Sequence, residues 1–166
     1  NMKKTLYHGT SQINALSILR DGFDFSKCGS NWGSTYGKGI YFSPSYDEAH
    51  FYAGEDGMVL SFELELECYY LEKDISSSKK KKFKLPNGYN CLVNPSGDEY
   101  VLFSFVSPYV NQLLELYCEY YSYETFPVNK KDLYIMSDDE LINLIMDTVD
   151  SINSDAELEE YNKYNM

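Results

Sequence analysis

The stretch Met58-Val59-Leu60-Ser61-Phe62-Glu63-Leu64-Glu65-Leu66-Glu67 has the most regular pattern in the chain. Apolar side chains alternate in it with serine and glutamate, and successive side chains of a β-strand point to opposite faces. The alternation therefore predicts a strand over residues 58–71 with one buried face and one face in water. A strand of this kind needs a second layer to cover its apolar face, so the stretch favours a sheet-based fold.

Further short strands are predicted on both sides of this stretch. Residues 4–8 and 40–43 are short β-prone runs, and residues 100–106 and 113–121 are two further ones. The segments 24–39 and 72–97 are rich in glycine, proline or lysine, so both are predicted to be loops. Seventeen tyrosines and nine phenylalanines fit this interpretation, because aromatic rings suit a pleated, half-buried surface.

Three helices are predicted from capping residues and apolar spacing. Thr10 and Ser11 offer N-cap hydroxyls to a helix over residues 13–20, and Gly22 is placed to end it. A second, short helix is predicted over residues 45–52. The third begins at Ser137-Asp138-Asp139-Glu140, where acidic side chains favour the positive end of the helix dipole, and runs to about residue 152. We expect the polar segment 155–166 to fray.

The charge of the chain bears on the partners that it can bind. The formal net charge is −12, and Arg20 is the one arginine among 14 basic residues. Proteins that bind nucleic acid neutralise phosphates with many lysines and arginines, so nucleic acid is an improbable partner. The compact basic run at residues 79–82 is interpreted as a solvated loop. The acidic charge also disfavours binding to anionic membranes, and we expect a monomer.

The cysteines and the N-terminus bear on metal binding and on the cellular compartment. Cys28, Cys68, Cys91 and Cys118 are scattered without metal-finger spacing, so no metal site is predicted. Scattered cysteines are typical of reduced thiols in an intracellular protein. The N-terminal residues 1–4 lack the apolar stretch of a signal peptide, and no apolar run is long enough to span a bilayer. We expect an intracellular protein, or an effector delivered into a host cell.

Three short motifs carry the chemistry, and they occur in this order: Leu6-Tyr7-His8-Gly9-Thr10, Tyr36-Gly37-Lys38-Gly39-Ile40-Tyr41-Phe42-Ser43 and Asp98-Glu99-Tyr100-Val101-Leu102. In these motifs the chain closely resembles the catalytic domain of the poly(ADP-ribose) polymerase-like, diphtheria-toxin-like ADP-ribosyltransferases. The resemblance spans roughly residues 5–121. Each motif alone is weak evidence, whereas three in order with family-like spacing are specific.

The resemblance implies a fold and a reaction. The fold is α+β, a split and twisted antiparallel β-sandwich with short helices. We expect a catalytic domain over residues 3–121 and a C-terminal helical extension over residues 122–166. The reaction is transfer of ADP-ribose from NAD to an acceptor with release of nicotinamide, so NAD is a consumed substrate and no metal is needed. We expect mono-transfer to a protein, with the acceptor side chain left open.

The resemblance also assigns roles to three residues, which form the family's catalytic triad. Glu99 hydrogen-bonds the nicotinamide ribose and stabilises the positive charge that builds on this sugar when the glycosidic bond breaks. Tyr41 stacks on the flat nicotinamide ring, as aromatic faces do. His8 hydrogen-bonds a hydroxyl of the adenosine ribose. Further NAD contacts are implied for Gly9, Thr10, Tyr36, Gly39, Ser43 and Tyr52, with Gly9 holding the carboxamide and Tyr52 forming the second aromatic wall.

One family feature has no clear counterpart in this sequence. Many members carry a serine near the start of the second short helix, and its hydroxyl binds the nicotinamide carboxamide. That position falls on Asp47, Glu48 or Ala49, with Ser43 and Ser45 nearby. The residue that replaces this serine is therefore left open. The segment 24–36 would cover the adenosine and pyrophosphate through backbone N–H groups, since Lys27 is its only cation.

Two other functions are alternatives to NAD-dependent ADP-ribosyl transfer. A related RNA 2′-phosphotransferase must grip phosphates, which favours several arginines, and this chain has one. A catalytically weak module that binds NAD, ADP-ribose or a protein would keep the fold, although the complete triad of His8, Tyr41 and Glu99 favours an enzyme. For the C-terminal helix, packing on the sheet and binding of a partner both remain possible.

Overall fold

The computed structural model describes residues 2–24, 36–75, 83–103, 111–116, 124–126 and 130–165. The glycine-rich stretch 25–35, the basic run 79–82 and the predicted strand residues 104–106 and 117–121 lie outside this part of the chain. Within it, no helix combines the length and the apolar character needed to cross a membrane.

The described elements are eight strands and four helices, with six strands in succession after the second helix. In chain order they are β1 (Met2–Thr10), α1 (Gln12–Asp21), β2 (Ile40–Phe42), α2 (Tyr46–Ala53), β3 (Met58–Leu66), β4 (Cys68–Tyr70), β5 (Cys91–Val93), β6 (Tyr100–Leu102), β7 (Asn111–Leu116), β8 (Glu124–Phe126), α3 (Lys130–Ile135) and α4 (Asp138–Asn165).

The first sheet is antiparallel throughout, with strand order β1-β3-β7-β8. Strand β3 is the alternating stretch, and its leucines and Phe62 are all buried while Glu63 and Glu65 are half-exposed. Strand β1 pairs with it in a register that sets Leu6 opposite Phe62. The predicted strand is confirmed as far as Leu66, and the chain passes to the other sheet after Glu67. The expected face in water is wrong at the start of the strand, where Val59 and Ser61 are buried and α2 packs on Val59.

The second sheet has strand order β2-β6-β5-β4 and is mixed. Strands β2, β6 and β5 pair antiparallel, whereas β4 and β5 run parallel. The expectation of an entirely antiparallel sandwich is wrong at this one pair. The expectation of a loop throughout residues 72–97 is wrong at β5, whose three residues are fully buried. Three residues are too few to show a periodic pattern, so tertiary pairing alone reveals this strand.

The two sheets share one hydrophobic core. Phe62 of the first sheet and Phe42 of the second meet edge to face with ring centroids 5.7 Å apart, and Phe23 contacts both rings. The core continues over the inner faces of β3, β5 and β6 and is covered by α1. The expected α+β class, with two packed sheets, short helices and a C-terminal helix, is confirmed.

Serine hydroxyls cap the first two helices, which confirms the cap predicted for α1. Ser11 Oγ accepts a hydrogen bond from the Asn14 amide at 3.2 Å, and α1 ends at Gly22 with φ 82°. Ser45 Oγ accepts one from the Glu48 amide at 3.4 Å at the start of α2. A positive φ is accessible to glycine at low energetic cost, which explains the glycine that ends α1.

The C-terminal helices pack on the sandwich through α1. Leu133 of α3 and Leu141 and Ile145 of α4 are buried in the shared core. Helix α4 is 28 residues long, so the expectation that residues 155–166 fray is wrong as far as Asn165. The proposed domain boundary at residues 121 and 122 lies outside the described residues and stays a prediction.

Arg20 ties the end of α1 to α3 and to the start of α4. Its Nε donates to the Leu133 carbonyl at 2.5 Å, a terminal nitrogen donates to the Met136 carbonyl at 3.3 Å, and the guanidinium pairs with Asp138. In return the Tyr134 hydroxyl donates to the Arg20 carbonyl at 3.1 Å. The single arginine of the chain is therefore used for structure.

Candidate active site

A backbone bridge links the two sheets beside the candidate site. Tyr7 of β1 and Ser43 after β2 exchange backbone hydrogen bonds of 2.8 Å and 2.9 Å. This bridge brings the first and second motifs side by side, so that His8 Nδ1 lies 2.8 Å from the Tyr41 carbonyl oxygen. The contact spans 33 residues of sequence. The predicted pair of His8 and Tyr41 is thus brought together by the meeting of β1 with β2.

The same contact determines the protonation of His8. A carbonyl oxygen only accepts hydrogen bonds, so Nδ1 carries the hydrogen and Nε2 keeps its acceptor lone pair in the neutral ring. Burial lowers the pKa of His8, and the bond to the Tyr41 carbonyl opposes this effect less strongly. Phe23 and Phe42 contact the ring at centroid distances of 5.1 Å and 5.7 Å. His8 is therefore a neutral imidazole at pH 7, with Nε2 able to accept from a hydroxyl.

Glu99 comes close to Tyr41 at the end of the second sheet. Tyr41 pairs with Val101 of β6, and Glu99 lies just outside this strand, two residues before Val101. The charge of Glu99 acts on the Tyr41 hydroxyl, so the two side chains lie near each other. Burial and the nearby Glu99 charge raise the pKa of Tyr41 to about 12, although its hydrogen bond from Tyr36 opposes them. The third motif thus joins the first two.

A tight turn that begins at Asn94 holds the backbone of Glu99. Asn94 Oδ1 accepts hydrogen bonds from the amides of Asp98 and Glu99, both at 3.0 Å. The Asn94 amide donates to the Glu99 carbonyl at 3.1 Å, so both backbone groups of Glu99 bind Asn94. Sequence reasoning missed this residue. The asparagine and glycine of Asn94-Pro95-Ser96-Gly97 are turn residues and were the available signal.

The side chain of Asp98 also stabilises this turn. Its carboxylate accepts from Asn94 Nδ2 at 2.5 Å and from the Ser96 hydroxyl at 2.8 Å. These two hydrogen bonds lower the pKa of Asp98, since they favour the charged form. The turn before β6 is therefore held by side-chain bonds on both sides, which fixes the direction in which Glu99 leaves it.

A cleft of about 370 Å³ lies between α2 and this turn, lined by Asp47, Glu48, Phe51, Tyr52, Asp98 and Glu99. Tyr52 is 56% exposed there, and burial together with the charges of Glu99, Glu48 and Asp98 raises its pKa. The predicted second aromatic wall therefore shares a cleft with the predicted catalytic carboxylate. The charges near Tyr52 also show that the cleft is strongly acidic.

Two of the predicted binding glycines are required by packing. A Cβ on Gly9 would lie 1.8 Å from the Ala49 carbonyl oxygen, because the backbone of α2 rests on β1 there. A Cβ on Gly39 would lie 2.8 Å from Val101 Cγ1. The close approach at Gly9 sets the position of α2 and hence of Tyr52 in the cleft. The contacts of Gly9 and Gly39 with NAD stay predictions.

Tyr36 is buried in the second sheet's outer cluster, beside Leu92 and Val101. Its hydroxyl donates to Asp74 at 2.9 Å, and burial, followed by this bond, raises its pKa well above the ordinary value. Its amide donates to the Tyr41 hydroxyl at 2.7 Å, and that hydroxyl donates to the Gly37 carbonyl at 2.8 Å. Tyr36 thus holds the ring of Tyr41 in place, while its own NAD contact stays a prediction.

The open question of the carboxamide-binding residue is narrowed by the placement of α2. Ala49 is buried against Gly9, whereas Asp47 and Glu48 both line the cleft. Ser43 is buried, and its hydroxyl lies 3.4 Å from Glu48 and accepts from the Ser45 amide at 3.0 Å. Of these candidate positions, Asp47 and Glu48 are therefore the two whose side chains reach the cleft.

Two further sequence predictions concern Thr10 and the absence of a metal site. Thr10 is the last residue of β1 and pairs with Met58, so it lies where the strand turns into α1. Within the described ranges, no three histidine, cysteine, aspartate or glutamate side chains are grouped as a metal ion would require.

Residues 1–86, just over half of the 166-residue chain, match the family model for the poly(ADP-ribose) polymerase catalytic domain. The chain belongs to this family. Strands β1 to β4, helices α1 and α2 and the first two motifs lie within the matched residues. Glu99 lies beyond them, so its assignment rests on its own motif and on its place in the cleft.

Two relatives are similar over shorter stretches. Protein mono-ADP-ribosyltransferase PARP10 of Mus musculus is 48% identical over 42 residues, which are 25% of this chain and 4% of the relative. Protein mono-ADP-ribosyltransferase PARP12 of Homo sapiens is 39% identical over 54 residues, which are 32% of this chain and 8% of the relative. The chain thus matches a small part of each relative's length.

Proposed function

We propose that this domain transfers a single ADP-ribose unit from NAD to a protein acceptor and releases nicotinamide. The observation that carries the proposal is the position of Glu99, which lies near Tyr41 and shares a cleft with Tyr52. His8 is bonded to the same strand that carries Tyr41. Three separate motifs therefore supply one site.

The electrostatics of the cleft suit this reaction. The nicotinamide ring of NAD carries a positive charge, which passes to the ribose as the glycosidic bond breaks and the ring leaves with the bonding electron pair. Glu99 and the neighbouring Asp98 present negative charge to the charged nicotinamide ring of NAD and to the charged ribose that forms from it. Such preorganised charge is often the largest contribution to catalysis. The pyrophosphate is repelled by the same carboxylates, so we propose that it binds away from this cleft.

Aromatic and hydrogen-bonding groups suit the two ends of NAD. Tyr41 and Tyr52 lie near Glu99 from different elements, as two walls of a nicotinamide site would. Stacking of this kind contributes about 0.5–1.5 kcal/mol per ring pair beyond the buried area. His8 Nε2 is an acceptor for a ribose hydroxyl, because Nδ1 is occupied by the Tyr41 carbonyl.

The acceptor and the transfer mode are proposals of the same kind. A nucleophilic side chain attacks the ribose carbon from which nicotinamide has departed and loses its proton to water. Both similar relatives are named as mono-ADP-ribosyltransferases, which supports transfer of one unit. A single mass increment of one ADP-ribose on the acceptor is expected, and a ladder of longer products would contradict mono-transfer. We further propose an intracellular, monomeric protein.

The test is nicotinamide release from NAD by the wild type and by Glu99→Gln. The substitution keeps the shape of the side chain and removes its charge, so release should fall about 100-fold or more while NAD binding persists. Glu55→Gln, on the exposed turn before β3, is the matched control and should release nicotinamide like the wild type.

The alternative is a catalytically weak module that binds NAD, ADP-ribose or another protein. It predicts that a folded wild type binds NAD in a calorimetric titration yet releases no nicotinamide. Equal release by the wild type and Glu99→Gln would also reject the proposed role of Glu99.

A further inference from the structure

Two cysteines lie side by side at the edge of the second sheet, away from the cleft. Cys68 of β4 and Cys91 of β5 are directly paired in the parallel ladder. Paired residues of neighbouring strands project from the same face, with the strands about 4.7–4.9 Å apart. A disulfide needs Cα atoms about 4.4–6.8 Å apart, and the strand spacing lies within this range.

The two thiols differ in their surroundings. Cys91 is completely buried in the shared core, whereas Cys68 is half-buried on β4, the outermost strand of this sheet. Both are free thiols in the structure. A reagent from solution can therefore reach Cys68 first, and the buried neighbour is in place to react with the product.

Neighbouring groups stabilise the thiolate of Cys68. The neighbouring Cys91 thiol, the Tyr70 hydroxyl and the charge of Lys4 together outweigh desolvation and lower the pKa of the Cys68 thiol to about 7. The interaction with Cys68 and burial raise the pKa of Cys91 well above its ordinary value. Cys68 is thus the thiol activated for the first attack. Oxidation of Cys68 removes the thiolate charge that raises the pKa of Cys91, so Cys91 can then ionise and attack as the resolving thiolate.

We propose that Cys68 is a peroxide-reactive thiol and that Cys91 is its resolving partner, so that oxidation forms an intrachain disulfide between β4 and β5. This site is separate from the NAD cleft, and the proposal stands whether or not the domain transfers ADP-ribose.

The chemistry proceeds in two balanced steps. The Cys68 thiolate attacks one oxygen of hydrogen peroxide, the O–O bond breaks, and Cys68 sulfenic acid and hydroxide form. Cys91 then attacks the Cys68 sulfur, the S–O bond breaks, and the disulfide and water form. Overall, two thiols lose two hydrogens and one peroxide is reduced to two waters.

The first test is mass spectrometry of the full chain after brief treatment with hydrogen peroxide. The expected product has lost two hydrogens, and peptide mapping finds the segments containing Cys68 and Cys91 linked. Mapping is essential because Cys28 and Cys118 lie outside the described residues. A disulfide that joins either of those cysteines, or a Cys68 that stays reduced, would overturn the proposal.

Single substitutions separate the two roles. In Cys91→Ser the sulfenic acid on Cys68 has no resolving thiol, so dimedone should trap it on Cys68. In Cys68→Ser the buried Cys91 should remain reduced under the same treatment. Dimedone labelling of Cys91 in Cys68→Ser would show that the roles are assigned wrongly.

A milder variant keeps the proposal testable if a core serine prevents folding. Cys68 should react with iodoacetamide about threefold faster than an ordinary thiol at pH 7, because its larger thiolate fraction outweighs its lower intrinsic nucleophilicity. The rate should rise with a midpoint near pH 7. Tyr70→Phe removes an exposed hydroxyl that stabilises the Cys68 thiolate, so this midpoint should move upward. Tyr89→Phe removes an exposed hydroxyl of another tyrosine and should not move it. Equal midpoints in the wild type and Tyr70→Phe, both near about 8.5, would contradict the activation of Cys68.

Discussion

Asn94 binds both backbone groups of Glu99, accepting a hydrogen bond from its amide at 3.0 Å and donating its own amide to the Glu99 carbonyl at 3.1 Å. Glu99 directly precedes the short strand β6, and its charge acts on Tyr41. The carboxylate of the proposed reaction is therefore positioned by the turn that begins at Asn94.

Removal of the Asn94 side chain should impair the reaction through Glu99. In Asn94→Ala the amides of Asp98 and Glu99 lose their acceptor, and misplacement of a catalytic group by about 1 Å can lower kcat about 100-fold. We expect kcat for nicotinamide release to fall by about 10- to 100-fold with a smaller change in KM. Asn87→Ala, in an exposed turn, should leave kcat unchanged. Wild-type kcat in Asn94→Ala would reject the positioning role.

Gly9→Ala should destabilise the fold. The added methyl group would meet the Ala49 backbone carbonyl at 1.8 Å, so α2 must move away from β1. Overpacking of this kind costs about 1–3 kcal/mol, measurable as a lower urea midpoint. Thr5→Ala, on an exposed position of the same strand, should cost less. A midpoint in Gly9→Ala as high as in Thr5→Ala would show that α2 accommodates the methyl group.

Burial of His8 predicts a loss of stability in mild acid. Because the folded-state pKa of His8 is lowered, the unfolded chain binds the proton more readily, and stability falls as the pH drops below about 6.5. Above that pH both states hold a neutral ring and no loss occurs. The melting temperature should therefore fall between about pH 6.5 and pH 5, before most carboxylates titrate.

The control for this pH dependence is the second histidine. His8→Gln should have a flatter melting profile over the same window, whereas His50→Gln should keep the wild-type slope. An unchanged slope in His8→Gln would assign the acid sensitivity to other groups.

Arg20→Met should loosen the C-terminal helices. The substitution keeps an apolar stem but removes the donors to the Leu133 and Met136 carbonyls and the partner of Asp138. Hydrogen bonds from a charged group contribute about 1.5–3 kcal/mol each, so the melting temperature should drop by several degrees. Lys73→Met, at an exposed position, should melt like the wild type. Equal melting of both variants would mean that core packing alone holds α3 and α4.

Several features of the candidate site could be predicted from short segments, and others could not. His8, Tyr41 and Glu99 could be predicted because each lies in a motif of five to eight residues, and the structure brings both His8 and Glu99 close to Tyr41. Their roles stay predictions. Asn94 was missed because its role depends on a turn that reaches back to Glu99. The packing requirement at Gly9 was missed because the atom that it meets, the Ala49 carbonyl, is 40 positions away in sequence.

The sequence by itself determined the local structure: the alternation that makes β3, the serines that begin α1 and α2, and the glycine that ends α1. These depend on residues within one or two turns of each other, so periodicity and capping reveal them. Only the tertiary structure decided the parallel pairing of β4 with β5, the meeting of β1 with β2 and the length of α4. A three-residue strand is stable only through its neighbours, and which neighbours it finds is settled by packing between distant segments.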